Sequence, residues 1–396
     1  MNLDIIFLVI FYLILFTIFK IYRNKFELQW GVFALYRTKI GLNLMDRIAK
    51  KFKKLLSFFS YVSIGIGFLG MFITLILLAK GALSFLSAAP QPQVAPVLPG
   101  ISIAGLPKLS FWHWIISILI AAVIHEFMHG VYSRLYNIKI KSSGFAFLGP
   151  ILAAFVEPDE KVMEKRPTKQ QLSVLSAGPF SNIVLGIVIL LFMFVIMEPI
   201  GHAIVGVQGI EVENLNESYP IISSGLKVGD VITEIDNKKI DGSEKIKQIL
   251  ENNKPGDSVK IKTERNEYNI ILGENPNNKT EAFLGITISK FKLGPKESLG
   301  SFSWLSNVYL WLYLLVFWLF NINLGIGMFN LLPLGPVDGG RMFFAAAFHF
   351  TKNKEKAVKI LKAATLLVLF LIIVNMWPFI LKLLKFIFSP LNLIFG

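Results

Sequence analysis

"FWHWIISILIAAVIHEFMHGVYSRLY", Phe111 to Tyr136, begins as a membrane span and ends with two histidines and a glutamate within five residues. A bilayer core of about 30 Å takes roughly 20 apolar residues as helix, and this run is long enough. Ionisable groups at such depth are costly and mark function. His125, Glu126 and His129 therefore need partners from elsewhere in the chain.

The rest of the chain supports a membrane reading. Of its 396 residues, 54% are hydrophobic and only 17% are charged, less charge than a soluble protein of this size carries. The apolar residues gather in long runs that predict about six transmembrane helices: Leu3–Tyr22, Phe58–Leu78, Phe111–Tyr136, Leu172–Met197, Phe302–Leu332 and Ala363–Ile387. Helices are expected because unpaired backbone is too costly in lipid. The first run lacks a basic segment before it, and Arg23 and Lys25 come after it, so it reads as an uncleaved span. The formal charge of +14 would suggest nucleic acid in a soluble protein. Here the basic residues flank spans and set topology, so the expected partner is the lipid bilayer and no nucleic acid. With no cysteine, a metal site must use His, Asp or Glu.

Six spans put both termini on one side. The segments "YRNKFELQWGVFALYRTKIGLNLMDRIAKKFKK", "NIKIKSS" with "EKVMEKRPTK", and "TKNKEKAVK" are basic and share the other side. Positive-inside bias places them in the cytosol and both termini outside. The Pro-rich "SAAPQPQVAPVLPGISIAGLP" lies outside, as does a charged block from about Val205 to Lys290. That block reads as a small α+β domain. "GIEVENL" alternates like a strand, "GLKVGDVITEIDNKKI" is turn and strands, and "SEKIKQILENN" is a helix with Ser243 as N-cap. "KPGDSVKIKTERNEYNIIL" is a hairpin, and "AFLGITI" a last strand. The expected division is 1–110 for N-terminal spans and the basic loop, 111–200 for the first core part, 203–292 for the inserted domain, 300–350 for the second core part and 351–396 for a C-terminal span.

Histidines at i and i+4 share a helix face. So placed, His125 and His129 can bind one Zn²⁺, and Glu126 can take a proton from metal-bound water. A catalytic zinc wants a third protein ligand and one open position. His113 lies over three turns up the same helix, while His202 and His349 lie beyond span ends. Asp338, in "NINLGIGMFNLLPLGPVDGGRMFF", is the carboxylate that stands out. Gly325, Gly327, Pro333, Gly335 and Pro336 interrupt that run. Irregular backbone at membrane depth survives only where protein or a wet cavity satisfies it. The segment should unwind and aim Asp338 into a polar pocket. The alternative is a helix end at the interface, with Asp338 capping the next segment.

Together these motifs resemble the two signatures of the site-2 protease family of intramembrane zinc metalloproteases. HEFMH is the first. Asn330, Pro333, Asp338 and Gly339 match each position of the second, N-x-x-P-x-x-x-x-D-G. Gly178, Pro179 and Asn182 in "SAGPFSNIVLG" match a third element, G-P-x-x-N. The resemblance covers about Phe111 to Phe350. It implies one zinc per chain on His125, His129 and Asp338, with Glu126 as general base and proton carrier. It implies that Asn330 holds substrate backbone or the developing oxyanion, and that Asn182 lines the same site. It also implies that "SSGFAFLGPILAAFVEPDE" is a membrane-dipping β-hairpin presenting substrate as a strand; a simple cytosolic loop is the alternative. The inserted block resembles a PDZ domain through "GLKVGDVITEIDNKKIDG". Such a domain either adds a peptide strand at "AFLGITI" or "AIVGVQGIEV" or acts only as a steric filter. The implied activity is hydrolysis of transmembrane segments of single-span proteins near the cytosolic face, after trimming outside. Two rivals are a zinc-binding scaffold without catalysis, which would not need Glu126, and a metal transporter, which would need further acids along a path.

Overall fold

Apolar runs become helices here wherever they are uninterrupted. The structure, a computed structural model, describes residues 3–29, 33–86, 94, 96–99, 103, 105–148, 151–216 and 218–395. Among them five helices are long and apolar enough to cross a membrane: Lys53–Ser84, Phe111–Leu135, Thr168–Ile204, Trp304–Asn330 and Lys354–Leu381. The first expected span is helix α1 (Leu3–Ile21), whose described apolar part, Leu8–Ile21, is shorter. Most of the Pro-rich segment lies outside the described residues. The chain divides into two compact units, residues 1–191 with 314–396, and residues 192–313.

In the first unit, α2 (Leu42–Lys51) and α3 (Lys53–Ser84) come after α1, and α4 (Phe111–Leu135) starts where Ser110 caps its first turn. A short α5 (Glu160–Glu164) precedes α6 (Thr168–Phe192). The basic segment before α2 is not the plain loop expected from its charge. It supplies strands β1 (Phe26–Gln29) and β2 (Phe33–Thr38), which join β3 (Ile140–Leu148) and β4 (Ile151–Pro158) in an antiparallel sheet ordered β1-β2-β3-β4. The expected hairpin is thus half of a four-stranded sheet; its turn, residues 149–150, lies outside the described residues. Arg37 ties the sheet across its strands. It pairs with Glu27 at 2.6 Å and with Glu157, and donates to Ser142 Oγ at 2.7 Å. The bonds to Glu27 and Glu157 push its pKa up.

The core of this unit surrounds α4. Met45 and Ala49 of α2, Leu56 and Met71 of α3, and Val174, Leu175 and Ala177 of α6 pack with Val131, Tyr132 and Leu135. Burying side chains of this size contributes roughly 1.5–3 kcal/mol each, so the motif-bearing helix is fixed on several sides.

The second unit contains α7 (Glu198–Ile204), which continues the α6 helix through a π-helical turn at Met193–Met197. Strands β5 (Val205–Leu215), β6 (Val231–Ile235), β7 (Lys238–Lys239), β8 (Ser258–Thr263), β9 (Glu267–Ile271) and β12 (Ile286–Pro295) form one sheet, ordered β12-β5-β6-β8-β9 with β7 on β6. β10 (Gly273–Asn275) and β11 (Asn278–Phe283) make a separate ribbon. Period-2 alternation places Val259, Ile261 and Thr263 of β8 inward. They join Ile210, Ile232 and the inner face of α8 (Ser243–Glu251) in a closed core. The N-cap of α8 is Gly242 and not Ser243, which is already helical.

The fifth expected span runs unbroken through Gly325 and Gly327 and breaks only around Pro333, Gly335 and Pro336. Helix α9 (Trp304–Asn330) stops at Asn330, residues 331–337 turn, and α10 (Asp338–Thr351) begins at the aspartate. The turn folds back so tightly that a Cβ on Gly339 would strike the carbonyl oxygens of Leu331 and Leu332. Glycine is required there by space. The last helix, α11 (Lys354–Phe395), starts inside the basic "TKNKEKAVK", earlier than the apolar run alone indicates.

Candidate metal centre

His125 and His129 lie one turn apart on α4, and both are buried. Their Nε2 atoms are 3.1 Å apart. The break after α9 delivers Asp338 to the same point, with Oδ2 3.0 Å from His125 Nε2 and 3.1 Å from His129 Nε2. Asp338 is the first residue of α10 and faces the imidazoles. The helix is capped at Val337 without any side-chain bond, so the capping alternative does not hold.

Hydrogen bonding explains this triangle poorly. One carboxylate oxygen can accept from two N–H groups, but both protons would then be crowded between nitrogens only 3.1 Å apart. A central cation suits three converging lone pairs. Zinc bonds of about 2.0–2.1 Å set tetrahedral ligand atoms about 3.3 Å apart, close to the spacing seen. The far side of each ring also fits. His129 Nδ1 donates to the Val174 carbonyl at 2.7 Å, which leaves Nε2 as the lone-pair nitrogen. His125 Nδ1 faces the amide of the fully buried Asn182 at 3.3 Å. Asn182 Oδ1 is buried with no hydrogen-bond partner. A half-turn of the amide brings that oxygen to His125 Nδ1–H and frees Nε2 in the same way.

Glu126 sits beside the histidines, with one carboxylate oxygen within 4.8 Å of a ring nitrogen of His125 and of His129. It is held by Val156 N–H of β4, 3.0 Å away. β4 is the outer strand of its sheet, so this N–H is not needed for strand pairing. A cavity of about 450 Å³ opens here, lined by His125, Glu126, His129, Asp338, Asn330 and residues 153–156 of β4. Asn330 thus faces the cavity, with its Nδ2 bonded to Ile326 O. Asn182 stands behind His125 and does not line the cavity.

The other three histidines are held elsewhere. His113 contacts Ser110 Oγ at 2.6 Å, His202 pairs with Glu198 at 3.5 Å, and His349 contacts Thr168 at 3.3 Å. Two groups carry no mark of chemistry in the sequence and are found only in the fold: the Val174 carbonyl and the Val156 N–H. Gly178 belongs to the G-P-x-x-N motif, but its reason is spatial. A Cβ there would lie 2.6 Å from His125 Nε2 and closer still to His129 Nε2.

The profile of peptidase family M50 matches residues 113–375 of this chain. The chain is 29% identical to uncharacterized protein MJ0971 of Methanocaldococcus jannaschii over 385 residues, covering 94% of this chain and 93% of that one. It is 25% identical to zinc metalloprotease RasP of Shouchella clausii over 283 residues, covering 59% of this chain and 64% of RasP. Among solved structures it resembles the PDZ domain of an SdrC-like protein from Listeria monocytogenes, at 27% identity and a TM-score of 0.19. That likeness covers 20% of this chain and 87% of that domain.

Proposed function

Because the chain belongs to peptidase family M50, we propose that it is an intramembrane zinc endopeptidase that hydrolyses peptide bonds within transmembrane segments of single-span membrane proteins. The observation that carries this reading is the convergence of His125, His129 and Asp338 within 3.1 Å beside Glu126, on a helix apolar enough to span a membrane.

His125 Nε2, His129 Nε2 and Asp338 Oδ2 would hold one zinc ion. When bound, zinc polarises a scissile carbonyl and brings the pKa of water towards 7. Glu126 takes the proton of the attacking water and returns it to the leaving nitrogen. Val156 N–H keeps its carboxylate beside the ligand atoms until then. Asn330, on the cavity wall, is placed to hold the substrate backbone or the oxyanion. Asn182 and the Val174 carbonyl act through the histidines by fixing their tautomers. A helical substrate hides its carbonyls in internal hydrogen bonds and must unwind before attack. The outer edge of β4, which lines the cavity, offers backbone for an extended segment.

The same reading takes α1 as a sixth span. It places both termini and the inserted domain outside the cytosol, with the site towards the cytosolic face. The inserted domain is then PDZ-like, either capturing peptide ends or excluding bulky ectodomains.

The test uses the purified chain in lipid vesicles with a single-span substrate. Cleavage should map inside the apolar segment, stop on chelation and return with added zinc. Zinc-dependent ion flux without cleavage would favour transport, and retained zinc with neither activity would favour a scaffold.

A further inference from the structure

A second cavity, of about 350 Å³, lies between the C-terminal end of α4 and the α2–α3 junction. Asp46, Lys50, Lys53, Arg134, Asn137 and Lys139 line it. Its charge is one-sided: four cations against one carboxylate. Asp46 is engaged by Arg134, with Nε 3.2 Å from Oδ1. That contact is ionic without hydrogen-bond geometry, since Arg134 Nε is buried with no hydrogen-bond partner. Among the described residues, no carboxylate pairs with Lys50, Lys53 or Lys139.

The backbone tolerates an anion as well. Lys53 opens the 32-residue α3, whose N-terminus has no side-chain cap. Its first N–H groups can attract negative charge; the carbonyl end of α2 meets this end at Phe52 and offsets the dipole, so the side-chain cations carry the attraction. The end of α4, which would repel it, is closed on itself. Asn137 N donates to Arg134 O at 3.1 Å and Ile138 N to Ser133 O at 2.8 Å.

Location decides which anion. α3 begins and α4 ends at this cavity, and both are long and apolar enough to span. The cavity therefore lies at the depth of lipid headgroups.

The geometry points to a binding site for the phosphate of an anionic phospholipid at this cavity. The lysines supply the attraction, and the Arg134 fork supplies directional donors. The site is independent of the proposed peptidase chemistry. None of its residues lines the cavity at His125 and Asp338.

The experiment measures lipid retained by the full chain in neutral detergent, by native mass spectrometry, with phosphatidylglycerol or phosphatidylcholine added. Phosphatidylglycerol should be retained preferentially. Replacing Lys50, Lys53 and Lys139 together by glutamine should weaken its binding by roughly fivefold per lysine. The same exchange at Lys247, Lys254 and Lys279, exposed in the second unit, should leave it unchanged. Inorganic phosphate at matched ionic strength separates the sources. Failure to displace the lipid assigns the site to a headgroup, and efficient displacement assigns it to free phosphate, with the same residues as ligands. Equal retention of both lipids, unchanged binding in the first triple variant, or an equal loss in the second would overturn the proposal.

Discussion

Glu126→Gln is expected to keep its zinc and lose cleavage by about a thousandfold. Glutamine has the shape of glutamate, and its amide oxygen can still accept from Val156 N–H, 3.0 Å away in the present arrangement. The three ligand atoms are untouched, so folding and metal content should equal those of the unaltered chain. What disappears is the group that accepts the water proton and delivers it to the leaving nitrogen. Positioned acid–base groups contribute about 10²–10⁴-fold. Glu126 serves both proton transfers, and a loss of about a thousandfold lies in the middle of that range. Single-turnover cleavage of a single-span substrate, with zinc counted on the same sample, separates chemistry from metal loss. Cleavage at an unaltered rate would remove Glu126 from the mechanism.

Gly178→Ala is expected to empty the metal site although residue 178 binds nothing. The α6 backbone passes so close to α4 that a methyl group would sit 2.6 Å from His125 Nε2 and nearer to His129 Nε2. Neither ring can retreat without leaving its partner, Asn182 or the Val174 carbonyl. Overpacking of this kind costs about 1–3 kcal/mol, so the chain should still fold, with a lowered Tm. Zinc content should drop to a small fraction and cleavage with it. Gly186→Ala on the same helix is the control. Its Cβ would be 3.6 Å from the nearest heavy atom, Asn323 Nδ2, and both zinc and activity should persist. Full zinc in Gly178→Ala would show that the two helices are not so close.

Glu126 and Gly178 differ in how far the sequence reveals them. His125, Glu126 and His129 are legible because ionisable groups in an apolar helix have few reasons to exist. Asp338 is legible because the prolines and glycines before it forbid a continuous helix, and the chain does break between Asn330 and Asp338. The spacing imposed by Gly178 is a property of two packed helices and leaves no local pattern. Strands β1 and β2 are hidden for a related reason. Each is short, their segment is dominated by charge, and β2 pairs with β3 about a hundred residues later. Arg37 suggests topology in the sequence, whereas in the fold it binds Glu27 and Glu157 across the sheet. The helix at Ser243 is readable, with its start displaced by one residue, because glycine can occupy the cap position as serine does.

The metal centre depends on Asp338 as its third ligand. The direct measurement is zinc content by elemental analysis of the purified chain and of Asp338→Ala, each with a thermal unfolding curve as a check on folding. One zinc per unaltered chain and a large loss in a folded Asp338→Ala is the predicted result. Undiminished zinc in that variant would contradict it.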